Sequence, residues 1–264
     1  MLRSLFAGIS GLRVNQTMLD VTGNNIANAN TTGFKASTTV FQDTLSQMLT
    51  GASGPNAERG GTNPIQVGLG VQLAATATNL GQGSAQTTGR TTDVMISGDG
   101  FFVVESGGER LYTRAGAFAL DRDGNLVTSS GARVIGVDGA PIRIDPAQEL
   151  ESMSIGSDGT LTGIVNGVGT PLGQLAVATF TNPMGLEKVG ETAFRQSANS
   201  GAAELGAPGG AGRGDIMAGA LEMSNVDLAA EFTNLILAQR GFQASSRVIT
   251  TSDSVLEDLV NLKR

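Results

Sequence analysis

"NNIANANTTGFK", residues 24–35, closes a proline-free, leucine-studded opening with four asparagines, two threonines and a glycine. Asparagine and glycine tolerate left-handed backbone and can satisfy the last carbonyls of a helix, so Asn24 to Gly33 reads as a helix exit. Phe34 then anchors the chain as it leaves. The stretch therefore marks where one architecture stops and another begins.

Upstream of it, Leu2, Leu5, Ile9, Leu12, Gln16, Leu19, Gly23 and Ile26 step by three and four residues, a heptad seam with two interruptions. A second seam closes the chain: Leu228, Phe232, Leu235, Gln239, Phe242, Ser246, Ile249, Asp253, Leu256 and Val260. Ser224 and Asp227 form a capping-box-like pair at its start. Asp227 and Glu231 suit its positive end, and Lys263 and Arg264 its negative end. Two such seams at opposite ends predict that the terminal helices pair with each other. Gly8, Gly11 and Gly23 weaken the first arm as an isolated helix by about 1 kcal/mol each relative to alanine. That arm should need a partner to be ordered.

All seven prolines fall between Pro55 and Pro208. The middle is a series of short β-prone runs, "DVMI", "FFVVE", "LYTRAGAFAL", "NLVTS", "RVIGV", "PIRI", "SMSI" and "QLAVATF", bounded by glycine and aspartate. Asp-Gly at 99–100, 123–124, 138–139 and 158–159 suits tight turns between strands. Residues 50–63 and 197–214 are rich in Gly, Ala, Asn and Pro and read as extended loops. The expected fold is α+β: a terminal helical coiled coil from 1–30 and 225–264, a connector from 31–83 and 196–224, and a β-rich domain over 84–195.

The chemistry the chain can host is narrow. Across 264 residues it carries a net charge of -7, which argues against nucleic-acid binding. Arginine outnumbers lysine 14 to 3 without forming a basic run. There is no cysteine and no histidine, so thiolate metal sites, disulfides and the commonest general base are excluded. No apolar run is long enough to span a membrane, and the first residues lack the apolar core and cleavage site of a Sec signal. "DRDGN" at 121–125 resembles the start of a calcium loop, but its twelfth position is Ala132 where a bidentate glutamate is required. Asp93, Asp99, Asp121 and Asp123 mostly border turns, and one tyrosine with no tryptophan offers little to stack on a sugar ring. No cofactor, metal or catalytic residue is expected.

The pattern in 24–35 resembles the segment that follows the first helix in bacterial flagellar axial proteins, the rod and hook family. Asn24, Asn25, Ile26, Ala27, Asn28, Asn30, Gly33, Phe34 and Lys35 carry it. "SNVDLAAEFTNLILAQRGFQASSRVITTSD" is similar to the family's C-terminal segment, through Ser224, Asn225, Val226, Asp227, Gln239, Arg240 and Asp253. "GRTTDVMISGDGFF" and "YTRAGAFALDRDGNLVTSSG" look like its β-domain. The resemblance implies a non-enzymatic subunit that polymerises with itself into a tube outside the cell, in the hook or basal body of the flagellum. It implies as partners the rod, hook-cap and hook–filament junction proteins and the type III export apparatus, with no nucleic acid and no membrane insertion. An assembly interface is then expected at Leu5, Ile9, Leu12, Leu19 and Ile26 against Phe232, Leu235, Phe242, Ile249 and Leu256. The two ends of the chain look most like a hook subunit, which is the expected role. The insertion at 46–66 is instead similar to distal-rod members, in which it is thought to stiffen the tube.

Overall fold

The computed structural model describes residues 2–55, 60–144, 152–165, 168–210 and 212–261. It divides into two compact units: one holds the residues up to Ala27, Ser37–Ala77 and those from Asp227 on, the other Asn28–Ala36 and Thr78–Val226. The fold is α+β, with a terminal helix at each end of a β-rich stretch.

In the first unit, helix α1 (Leu2–Ala27) and helix α2 (Leu228–Asn261) run antiparallel against each other. At 1.5 Å per residue, α2 is about 51 Å long. Asp227, not Ser224, caps α2: its Oδ1 accepts the amides of Ala229 at 2.9 Å and Ala230 at 3.3 Å. Ser224 Oγ accepts the nearby amide of Val226, at 3.4 Å. Lys263 and Arg264 lie outside the described residues.

The expected connector at 31–83 is instead largely β-structure. Strands β1 (Ser37–Asp43), β2 (Ser46–Thr50), β3 (Ile65–Gly68) and β4 (Val71–Thr78) form two pairs, β1 with β4 and β2 with β3. Thr44 and Leu45 bond to Gly70 and Leu69, so the pairs continue one another as a single antiparallel ribbon. Farther out, Ser53 and Thr62 exchange two 3.0 Å hydrogen bonds. The ribbon was hard to read from sequence because its faces are mostly exposed and no apolar alternation marks an inside. Ser10 of α1 accepts the amide of Val71 at 3.3 Å, tying ribbon to helix.

The second unit begins with β5 (Ala85–Thr87), β6 (Val94–Ser97), β7 (Phe101–Ser106) and β8 (Glu109–Thr113). It continues through β9 (Phe118–Leu120), β10 (Leu126–Thr128), β11 (Arg133–Val134), β12 (Ser152–Ile155), β13 (Thr160–Val165) and β14 (Val168–Gln174). It closes with β15 (Val177–Thr179), β16 (Glu187–Gly190), β17 (Ala193–Arg195), β18 (Glu204–Gly206), β19 (Asp215–Ala218) and β20 (Ala220–Glu222). The main sheet runs β16-β17-β8-β7-β11-β10-β9, with β15 bridging β7 and β18. Strand β7 explains its own sequence. Phe102 and Val104 enter one core with Phe118, Leu126 and Leu175, while Phe101 and Val103 enter a second with Tyr112, Phe180 and Phe194. A strand buried on both faces needs the unbroken run "FFVV".

All four Asp-Gly dipeptides lie between strands or bridged segments, and Gly100, Gly124, Gly139 and Gly159 all have positive φ. The β unit also extends past residue 195, since Ile216 of β19 is 3% exposed and sits in the first core. Residues 196–224 are therefore part of the domain and not a connector; their glycines supply turns between very short strands.

Candidate assembly site

The two terminal motifs resolve into two clusters of buried polar contacts, one in each unit. In the helical unit, Asn25 is 1% exposed. Its Nδ2 donates to Ser37 O at 2.8 Å and to Glu231 Oε1 at 3.0 Å, and its Oδ1 accepts the Ser37 amide at 3.0 Å. One side chain thus fixes the end of α1 to the start of β1 and to the first turn of α2. The carboxamide suits this because it carries two N–H donors and an acceptor oxygen on one short side chain.

In the β unit, the motif passes through Gly33, Phe34 and Lys35. Gly33 has φ +69°, donates to Glu222 O at 2.8 Å, and leaves no room for a Cβ, which would lie 2.4 Å from Ala115 N. Phe34 is buried under the ammonium of Lys188, 5.1 Å from its ring centroid. Lys35 is 1% exposed; its Nζ donates to Glu222 Oε1 at 2.5 Å and to Gly81 O at 2.8 Å. Glu222 Oε1 also accepts the Gly83 amide at 2.9 Å, and its Oε2 meets Arg114 Nη1 at 3.5 Å.

Two buried cations therefore share one buried carboxylate. Burial holds the Lys35 ammonium below its ordinary pKa of 10.5, and the bond and charge of Glu222 oppose that shift without cancelling it. Burial likewise lowers Arg114, again opposed by Glu222. Asn225 completes the cluster by accepting the Ala36 amide at 2.9 Å and donating to Asn79 O and Gly81 O at 2.8 and 3.0 Å. Nothing in the sequence singles out Glu222 or Arg114, and Glu231 reads only as a charge suited to the helix start, not as the partner of Asn25. The available signal was Lys35, a lysine inside a motif at a turn, which implies a carboxylate partner if it is buried.

The remaining motif residues sit outside these clusters. Asn28 accepts the Thr31 hydroxyl at 3.1 Å in the turn after α1. Asn24, Gln239 and Arg240 lie on exposed helix surface.

The helix seam is offset from the apolar heptads. Gly8 lies against Ile249 and Ser245, Gly11 against Ser245, and Gly241 against Asn15. Val14, Thr22 and Ala238 are buried along it. These small and polar residues mostly fall one position before the apolar heptad. The ten expected interface residues are all exposed or half-buried within the chain: Leu5, Leu12, Leu19, Ile26, Leu235, Ile249 and Leu256 are half-buried, and Ile9, Phe232 and Phe242 exposed. Phe6 and Ile236 add to the exposed apolar surface, at 66% and 56%. Close helix approach needs small residues, and the large ones are displaced outward.

Nothing in either cluster arranges a nucleophile beside a base. What they hold is chain geometry, and what the helices display is apolar surface.

Three family models match the chain: "Flagella basal body rod protein" over residues 5–35, "Flagellar hook protein FlgE/F/G D1 domain" over 95–163, and "Flagellar basal body rod FlgEFG protein C-terminal" over 217–262. The flagellar basal-body rod protein FlgG of Bacillus subtilis is 49% identical, with both chains covered in full. FlgG of Borreliella burgdorferi is 38% identical, again over the whole of both chains. The flagellar hook protein FlgE of that organism is 30% identical over the whole of both, in an alignment of 441 positions.

Proposed function

The chain belongs to the flagellar rod and hook axial protein family, and from that membership we propose that it is a distal-rod subunit of the basal body. It is a structural component of the flagellar axis and not an enzyme. The observation that carries the rod assignment is the full-length 49% identity to a basal-body rod protein, against 30% to a hook protein that needs a much longer alignment. Hook function, expected from the ends of the chain, is the weaker reading. Those ends contribute to the helical unit, which rod and hook proteins have in common.

The ribbon at 46–68 favours the same reading. It places Met48, Leu49 and Ile65 more than half exposed on a paired, hydrogen-bonded strand surface. In a tube, such an arm stiffens the wall if it lies against a neighbouring copy. The outward rows on α1 and α2, including Ile9, Phe232 and Phe242, supply apolar area for packing between copies. Rod and hook subunits are the neighbours this assigns, and delivery through the type III export apparatus belongs to the same proposal.

Immuno-electron microscopy of isolated hook–basal bodies with antibody to this chain tests it. Label confined to the straight rod is expected; label along the curved hook would overturn the rod assignment.

A further inference from the structure

The β unit holds a cavity of about 220 Å³ whose rim includes Thr31 and Thr32, the paired threonines of the N-terminal motif. Thr113, Thr128 and the hairpin turn Glu191–Thr192 line it as well. That turn links β16 to β17 with two residues at φ +53° and +56°. Positive φ at both central positions suits Asn-Gly, and a β-branched threonine there is an outlier. Backbone strain of this kind collects where a site needs a particular shape.

At least three of the eight hydroxyls lining the cavity donate to groups of the chain itself. Thr31 spends its hydroxyl proton on Asn28 Oδ1, Thr113 on Thr192 O, and Thr192 on Glu191 O. With those protons committed, the Thr31 and Thr192 oxygens have lone pairs left to accept, while Thr113 Oγ1 already takes the Ala115 amide at 3.1 Å. Glu191, exposed, is the one charged side chain lining the cavity among the described residues. A single carboxylate with hydroxyl oxygens beside it complements a cation rich in donors.

We propose that this cavity receives an arginine side chain from a second copy of the chain. Resting on the self-assembly reading above, this names a specific contact within it. A guanidinium offers five donors in a planar fork, which suits several converging oxygens better than an ammonium does. The chain carries 14 arginines against 3 lysines, and Arg3, Arg13 and Arg247 are among those exposed. The contact orients neighbouring copies and discriminates against misaligned ones.

The test uses Glu191→Arg and, from a separate loop, Ser129→Arg, each in the full-length chain expressed in place of the wild type. Two quantities are read: the thermal unfolding midpoint of the purified monomer, and the amount of chain in isolated basal bodies. Like charge at the cavity should cut incorporation at least about tenfold while the midpoint stays at its wild-type value. Glu191→Gln should cut it less. Wild-type incorporation of both arginine variants overturns the inference and leaves the rod reading intact. Should Glu191→Arg lower the midpoint, Ser129→Arg decides alone. Absence of the wild-type chain from basal bodies would instead refute the rod reading itself.

Discussion

Asn25 Nδ2 donates to Glu231 Oε1 across 3.0 Å, joining two helices whose contacting residues are 206 positions apart in the chain. The bond lies inside the helix seam, and Asn25 also satisfies both backbone groups of Ser37. Asn25→Ala should therefore remove three hydrogen bonds at once, one of them to the buried Glu231 carboxylate. A loss of about 1–3 kcal/mol is expected from the bond to buried Glu231, with the half-exposed Ser37 bonds adding less. Chemical denaturation of the monomer measures the total, and faster exchange of the Ser37 amide would locate it. A variant as stable as the wild type would show that the helices do not pair this way in the free chain.

The glycines of α1 should behave differently from one another. Nothing lies within 4 Å of a Cβ placed at Gly23, so Gly23→Ala should raise stability by about 1 kcal/mol through helix propensity. A Cβ at Gly8 would meet Ile249 Cγ1 at 3.1 Å, so the larger Gly8→Val should push the helices apart at a cost of about 1–3 kcal/mol. Thermal unfolding of the two variants should move in opposite directions.

Phe232 separates folding from assembly. It is 52% exposed in the single chain, so Phe232→Ala should change monomer stability by no more than about 0.5 kcal/mol. If the ring is buried between copies, each subunit loses about 3–5 kcal/mol of packing in the polymer. Sedimentation of assembled material against a thermal melt of the monomer reads both. An unstable monomer, or normal assembly, would count against the outward rows as an interface.

The Lys35–Glu222–Arg114 cluster makes two predictions. Glu222→Gln leaves two buried cations without their carboxylate, which should cost about 3–5 kcal/mol. The second concerns pH. Lys35 has a folded pKa below 10.5, so between that value and 10.5 the unfolded chain holds a proton the folded chain has released. Stability from this residue therefore rises with pH across the window, and below it the buried ammonium is a net cost. Tyr112 acts oppositely above 10.0, because burial keeps its hydroxyl protonated in the fold. The test is thus the difference between wild type and Lys35→Met: the unfolding midpoint of the wild type should gain on the variant as pH rises through the window. A constant difference would mean that Lys35 titrates normally.

Periodicity made both helices legible, and Asp-Gly turns with short apolar runs made the central strands legible. The seam register was not, and the reason is physical. Hydrophobicity points to Ile9, Phe232 and Phe242 as an inside, but within one chain the close approach belongs to Gly8, Gly11, Gly241 and Asn25. A sequence does not say whether an apolar stripe faces its own chain or a neighbour. The ribbon is illegible for a related cause, since strands exposed on both sides carry no alternation. Motif asparagines 25 and 225 were recognised only as a pattern; their roles needed Ser37, Glu231, Ala36 and Asn79 brought together by the fold.

Electron microscopy of basal bodies from a strain lacking this chain tests the account most directly. Rods that stop short, with no hook attached, are the result it predicts. Complete rods that end bare would contradict it and make the chain a hook subunit.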